Sequence, residues 1–165
     1  SRRRHTRYIS VTGVQTCALQ IYGIVIKVAD DIERPNGVQL SRDEKTIYVA
    51  NTNGEFILAY DVHEDGTIAN RRNFGPLEGV RKTDTGVQSG ADGLAIDAEG
   101  RVYVTTLAGI QVFSEAGQRL GTIPLPVQAQ SVAFAGPDKQ TLFAVGRGNV
   151  YRIAMLAKGF PGRAK

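Results

Sequence analysis

Three residues of this 165-residue chain occupy one position in a repeated pattern and carry side chains able to do chemistry. Asn36, Asp92 and Gln130 head the stretches Asn36-Gly37-Val38-Gln39-Leu40-Ser41, Asp92-Gly93-Leu94-Ala95-Ile96-Asp97 and Gln130-Ser131-Val132-Ala133-Phe134-Ala135. Each stretch alternates apolar residues with small or polar ones, the period of a strand. Asparagine and aspartate offer hard carbonyl and carboxylate oxygens, which suit Ca²⁺, Mg²⁺ or Mn²⁺ completed by water and further acids. The competing reading is local: Asn-Gly and Asp-Gly are everyday turn dipeptides.

Other chemistry is thinly represented. A Ser-His-Asp or Cys-His site needs a histidine, and beyond residue 22 there is one, His63, in the turn-like His63-Glu64-Asp65-Gly66. It reads as a solvated loop residue. Gly146-Arg147-Gly148 is too short for a dinucleotide fingerprint and reads as a hairpin turn. Arg81-Lys82-Thr83-Asp84 lies in Gly75 to Gly90, a long loop that leads into Asp92 and could cap a pocket there for an anionic substrate, although an ordinary charged loop explains it equally.

The elements that must position these residues follow from the same repeat. Polar turns (Arg42-Asp43-Glu44-Lys45, Ala98-Glu99-Gly100, Gly136-Pro137-Asp138-Lys139-Gln140) lead to β-branched and aromatic runs at 46–50, 101–105 and 141–145. Glycine returns in the next turn at Gly54, Gly109 and Gly148, and Asn53-Gly54 predicts a two-residue hairpin. Third strands are expected at 56–60, 110–113 and 149–153, and outer ones at 67–74 and 119–125. Tyr48, Tyr103 and Phe143 should pack between sheets, Arg71 and Arg72 should mark a solvated edge, and Ala154 to Lys158 could form one terminal turn. Antiparallel sheets repeating at this interval describe the blades of a β-propeller, an all-β fold. At roughly 40 to 45 residues per blade the chain holds about three of them, and Ile24 to Val28 is expected as the outer strand of an earlier blade.

Composition sets the outer bounds. Hydrophobic residues make up 42% and charged residues 22%, the balance of a globular domain with no transmembrane run. A single cysteine forbids an internal disulfide. The net charge of +4 comes from Arg2, Arg3, Arg4 and Arg7, so residues 23–165 carry 16 basic and 16 acidic groups and the excess does not argue for nucleic acid or membrane. Ser1 to Arg7 and Val11 to Leu19 closely resemble the in-frame translation of a sequencing adaptor, with Gln20 as the one departure. Residues 1–21 are therefore read as an assembly artefact and residues 22–165 as the propeller part, which leaves the native N-terminus, the compartment and the oligomeric state unread.

Arg34-Pro35-Asn36-Gly37-Val38-Gln39-Leu40-Ser41 with the strand after it, and then Gly90-Ala91-Asp92-Gly93-Leu94-Ala95-Ile96-Asp97, resemble the C-terminal half of the SMP-30/gluconolactonase/LRE family over about residues 24–165. The resemblance implies a partial six-bladed propeller. It also implies a lactonase that hydrolyses sugar lactones or related cyclic esters with one divalent metal, Ca²⁺ first, with Zn²⁺, Mg²⁺ or Mn²⁺ as alternatives. Carried over, Asn36 becomes a metal ligand, and Asp92 a metal ligand and the general base that takes a proton from the attacking water while the metal polarises the carbonyl. The family's glutamate ligand and its substrate-holding arginine and asparagine have no counterpart here, so the chain by itself is expected to be inactive. The alternative is a propeller of the same build that binds a ligand or partner without catalysis.

Overall fold

The computed structural model describes residues 25–84 and 86–162. The chain divides into two compact units, Ser1–Asp30 and Asp31–Lys165. The first 24 residues, and with them the artefact reading of 1–21, lie outside the described residues. In the first unit the described stretch 25–30 holds a Lys27–Asp30 ion pair of 2.7 Å and exposed Val25 and Ile26. The outer strand expected at 24–28 does not form over 25–28. A β-branched run becomes a strand only against a partner edge, and this stretch makes no ladder with any described residue.

The second unit is built entirely from strands. The first sheet runs β1 (Pro35–Leu40), β2 (Thr46–Asn51), β3 (Phe56–Val62), β4 (Ile68–Pro76), each antiparallel to the next. A two-stranded hairpin follows, β5 (Arg81–Thr83) with β6 (Gly86–Gln88). The second sheet is β7 (Leu94–Ile96), β8 (Val102–Thr106), β9 (Gly109–Phe113), β10 (Arg119–Ile123), and the third is β11 (Ser131–Ala135), β12 (Thr141–Gly146), β13 (Asn149–Ala154). Each sheet starts on an inner strand and steps outward in sequence order, which is how a propeller blade is wound. The inner strands β1, β7 and β11 lie side by side.

Packing follows the blade order. Tyr48, Ala50, Ile57 and Ala59 of the first sheet meet Leu94, Ile96, Val102, Val104 and Phe113 of the second in one core. The other face of the second sheet, through Ala95, Tyr103 and Ile110, packs on Val132, Leu142 and Ala144 of the third. The middle sheet is therefore buried on both faces, and β8 is buried at every position. Its fully buried Phe113, Leu94 and Ile110 each contribute about 1.5–3 kcal/mol. The third sheet has one covered face, and β12 and β13 alternate in burial as a result. Tyr48 and Tyr103 are packed between sheets as expected, whereas Phe143 is 37% exposed because its side of β12 meets no further blade among the described residues.

Three local expectations also change. Within the 75–90 loop stands the β5–β6 hairpin, whose exposed β5 and half-buried Val87 and Gln88 leave no alternation to read. The segment after β13 forms no helical turn: Gly159 bridges to Asp97 and Phe160 packs into the first core. Asn53-Gly54 does not close a two-residue hairpin. The β2–β3 ladder ends at Val49↔Leu58, and a wider loop follows because Thr52 bonds to other segments instead.

Candidate functional site

The site is built from the starts of the inner strands. The β1–β2 pairing steps from Pro35↔Asn51 to Val38↔Val49, so one extra residue is accommodated at Asn36–Gly37. This is a β-bulge, a device that re-aims a side chain and bends its strand. The bulge presses on the next blade: a Cβ at Gly37 would lie 2.1 Å from the backbone oxygen of Asp92. The contact repeats one blade on, where a Cβ at Gly93 would lie 2.7 Å from Ser131 Cα. Neither glycine has a positive φ. The turn reading of Asn-Gly and Asp-Gly is thus replaced by a packing one, in which glycine allows backbones of adjacent blades to touch.

That contact brings the two predicted oxygen donors together. The Asn36 side chain and the charge of Arg34 both favour the ionised form of the Asp92 carboxyl. Partial burial pushes the carboxyl above the usual aspartate range, and Asn36 and Arg34 offset part of that rise. The backbone of Asp92 is held by its N–H to Thr105 O at 3.0 Å, with Thr105 N–H returning to Gly93 O at 3.0 Å. Gln130 is placed in register, and its backbone oxygen accepts from Gly93 N–H at 2.8 Å, but its side chain turns to its own blade, accepting from Arg147 N–H at 3.4 Å.

Two residues at the site carried no signal of their own in the sequence. Arg34 precedes the Pro-Asn-Gly motif and tempers the Asp92 carboxyl. Thr52, buried just after β2, donates its hydroxyl to Ala91 O at 2.8 Å and lies 3.3 Å from Asn36 Nδ2. Among the described residues no group of three or more His, Cys, Asp or Glu converges that could hold a metal ion. The Asn36 and Asp92 pair fits part of the donor set a hard divalent cation requires.

The remaining sequence candidates stand elsewhere. His63 is exposed in the β3–β4 turn. Arg71 and Arg72 on the edge strand β4 pair with Asp31 at 2.8 Å and Asp61 at 2.6 Å. Arg81 and Lys82 are exposed on β5. A hollow of about 350 Å³ runs along the inner strands between Val38, Leu40, Ala95, Ile96, Phe134 and Phe160, and neither Asn36 nor Asp92 lines it.

Antiparallel sheets stacked through adjacent inner strands are the blade arrangement of a β-propeller. The chain belongs to the SMP-30/Gluconolactonase/LRE-like family, whose model matches residues 10–145. It is 35% identical over 130 residues to a gluconolactonase of Zymomonas mobilis, covering 74% of this chain and 35% of that protein. Among solved structures it is similar to a gluconolactonase of Xanthomonas campestris (TM-score 0.61, 28% identity, 76% of this chain, 39% of that one). It shares its fold with a calcium-binding protein, regucalcin, of Agrobacterium tumefaciens (TM-score 0.70, 21% identity, 83% of this chain, 51% of that one). The chain thus spans 35% of the length of the Zymomonas relative. No helix among the described residues is long and apolar enough to cross a membrane.

Proposed function

We propose that this chain carries part of the active site of a divalent-metal-dependent lactone hydrolase, with Asn36 and Asp92 as metal ligands and Asp92 as general base. The observation that carries the reading is the meeting of the Asn36 amide and the Asp92 carboxylate across the Gly37 contact. A bound divalent cation would supply Lewis-acid polarisation of the ester carbonyl. Asp92 does the rest of what this chain offers: its partly buried carboxylate would take the proton of an attacking water. The kinship with gluconolactonases makes sugar lactones the first substrates to try, and the calcium-binding relative makes Ca²⁺ the first cation.

The second reading, a binding propeller without catalysis, draws on the lack, among the described residues, of any group of three His, Cys, Asp or Glu that could hold a metal ion. Calorimetric titration with Ca²⁺ and Mn²⁺, alongside pH-stat assay of glucono-δ-lactone, separates the two. The hydrolase reading expects weak cation binding that Asn36→Ala and Asp92→Asn abolish, with little turnover by the chain alone. Binding indifferent to both substitutions, or none at all, overturns it.

A further inference from the structure

Thr52 connects the two segments that carry the donor pair, and its own polarity constrains one of them. Its N–H bonds Arg34 O at 3.0 Å, and its carbonyl accepts from Ser89 N–H at 3.0 Å, Gly90 N–H at 3.2 Å and Ser89 Oγ at 3.2 Å. One residue thereby ties the approach to Asn36 to the approach to Asp92. Its hydroxyl has a single proton, and a carbonyl oxygen can only accept, so the 2.8 Å contact with Ala91 O commits that proton. Towards Asn36 the hydroxyl oxygen has only lone pairs to offer. The asparagine must then present Nδ2, as it does at 3.3 Å, because Oδ1 in that place would set lone pairs against lone pairs.

We propose that the Thr52 hydroxyl is a positioning group that fixes the Asn36 amide, holding Nδ2 inward and leaving Oδ1 as the oxygen available to a hard cation. This rests on the reading of Asn36 as a metal ligand. The chain of constraint runs from the buried Ala91 carbonyl through buried Thr52 to Asn36 at its exposed end. Thr52 is 8% exposed, so water does not readily replace its hydroxyl. Groups that orient a ligand in this way are commonly worth about 10- to 100-fold in metal affinity.

The test compares Thr52→Val, which keeps the shape and loses the hydroxyl, with Thr52→Ser, which keeps the hydroxyl, using Mn²⁺ affinity measured by electron paramagnetic resonance. Thr52→Val should weaken Mn²⁺ at least about 10-fold and Thr52→Ser should restore it to near the parent value. The same pair is then made in an Asn36→Asp background, where both terminal atoms are oxygens and orientation no longer matters. There Thr52→Val should cost little. An equal loss in both backgrounds reduces Thr52 to a general structural role and overturns the inference. A second readout needs no metal: exchange of the Asn36 side-chain amide protons with water, followed by NMR, should be slower in the parent and in Thr52→Ser than in Thr52→Val. An unchanged exchange rate in Thr52→Val overturns the inference whatever the cation result. If the parent binds no Mn²⁺ while exchange accelerates as expected, the positioning role stands and the ligand reading of Asn36 fails.

Discussion

Two aspartates flank β7, and the fold treats them in opposite ways. Asp97 is fully buried and saturated: it accepts from the N–H groups of Glu99 and Arg101, each at 2.9 Å, from the Tyr103 hydroxyl at 3.0 Å and from Arg101 Nε. Burial and the nearby carboxylate together push the Tyr103 hydroxyl pKa well up, so it remains a donor. Asp92, at the other end, is half-buried and leans on one neutral amide and the field of Arg34. Burial with a full set of donors makes a carboxylate a structural fixture, and burial with few donors raises its pKa and leaves lone pairs unspent. The motif repeated along the chain does not distinguish the two ends of the strand; their hydrogen-bond partners do.

The contrast is broken most directly at Asp97. Asp97→Asn exchanges one acceptor oxygen for a donor facing Arg101 and Tyr103, and removes the charge that Arg101 answers. The expected loss is about 3 kcal/mol, read as a lower urea midpoint at unchanged slope. Cation binding by the folded fraction should be unaffected. A loss below about 1 kcal/mol would mean that the network is dispensable and the two ends are alike.

Gly37→Ala probes the opposite end through packing. With 2.1 Å between the new Cβ and Asp92 O, the first two blades must separate or the bulge must shift. Overpacking of this kind costs about 1–3 kcal/mol. Unlike Asp97→Asn, it should also weaken cation binding, because the same contact sets the distance between Asn36 and Asp92. Retained affinity in a destabilised variant would show that the donor pair forms without the glycine contact, and interblade packing would then no longer account for the Asn-Gly and Asp-Gly pattern.

Why one end was readable in advance and the other was not has a physical basis. Blade strands announce themselves, because a sheet covered on both faces needs β-branched and aromatic residues such as Ile47, Tyr48, Val102 and Tyr103 in short runs between polar turns. Asn36 and Asp92 were legible for a related reason: each precedes the glycine that interblade packing demands, so repetition marks them. The β5–β6 hairpin was not, since its two three-residue strands carry no apolar alternation. Thr52 and the wide loop after it were hidden as well. Local sequence gives Asn53-Gly54 a hairpin turn, and only bonds to Arg34, Ser89 and Gly90, brought in by the fold, draw Thr52 out of the ladder. The expected core role of Phe143 failed for the converse reason, since what covers a blade face lies outside the blade's own sequence.

The smallest effect on stability belongs to Asp92, and its sign is what separates it from Asp97. Because burial raises the folded-state pKa of Asp92, the folded chain holds that proton more tightly than the unfolded one. The stabilisation this brings is complete below the unfolded value of about 3.9 and is lost as pH rises through the higher folded value. Asp92→Asn, neutral at every pH, does not undergo that loss. Its stability relative to the parent should therefore climb as pH is raised from about 4 towards 7, until the variant is at least as stable as the parent, even as cation binding disappears. Urea midpoints for both proteins across that range measure it. Parallel curves with the variant lower throughout would place Asp92 beside Asp97 as a structural carboxylate. Rising relative stability with lost binding would mark it as a group the fold holds at some cost to itself, as expected where an environment is shaped for proton transfer and ligation.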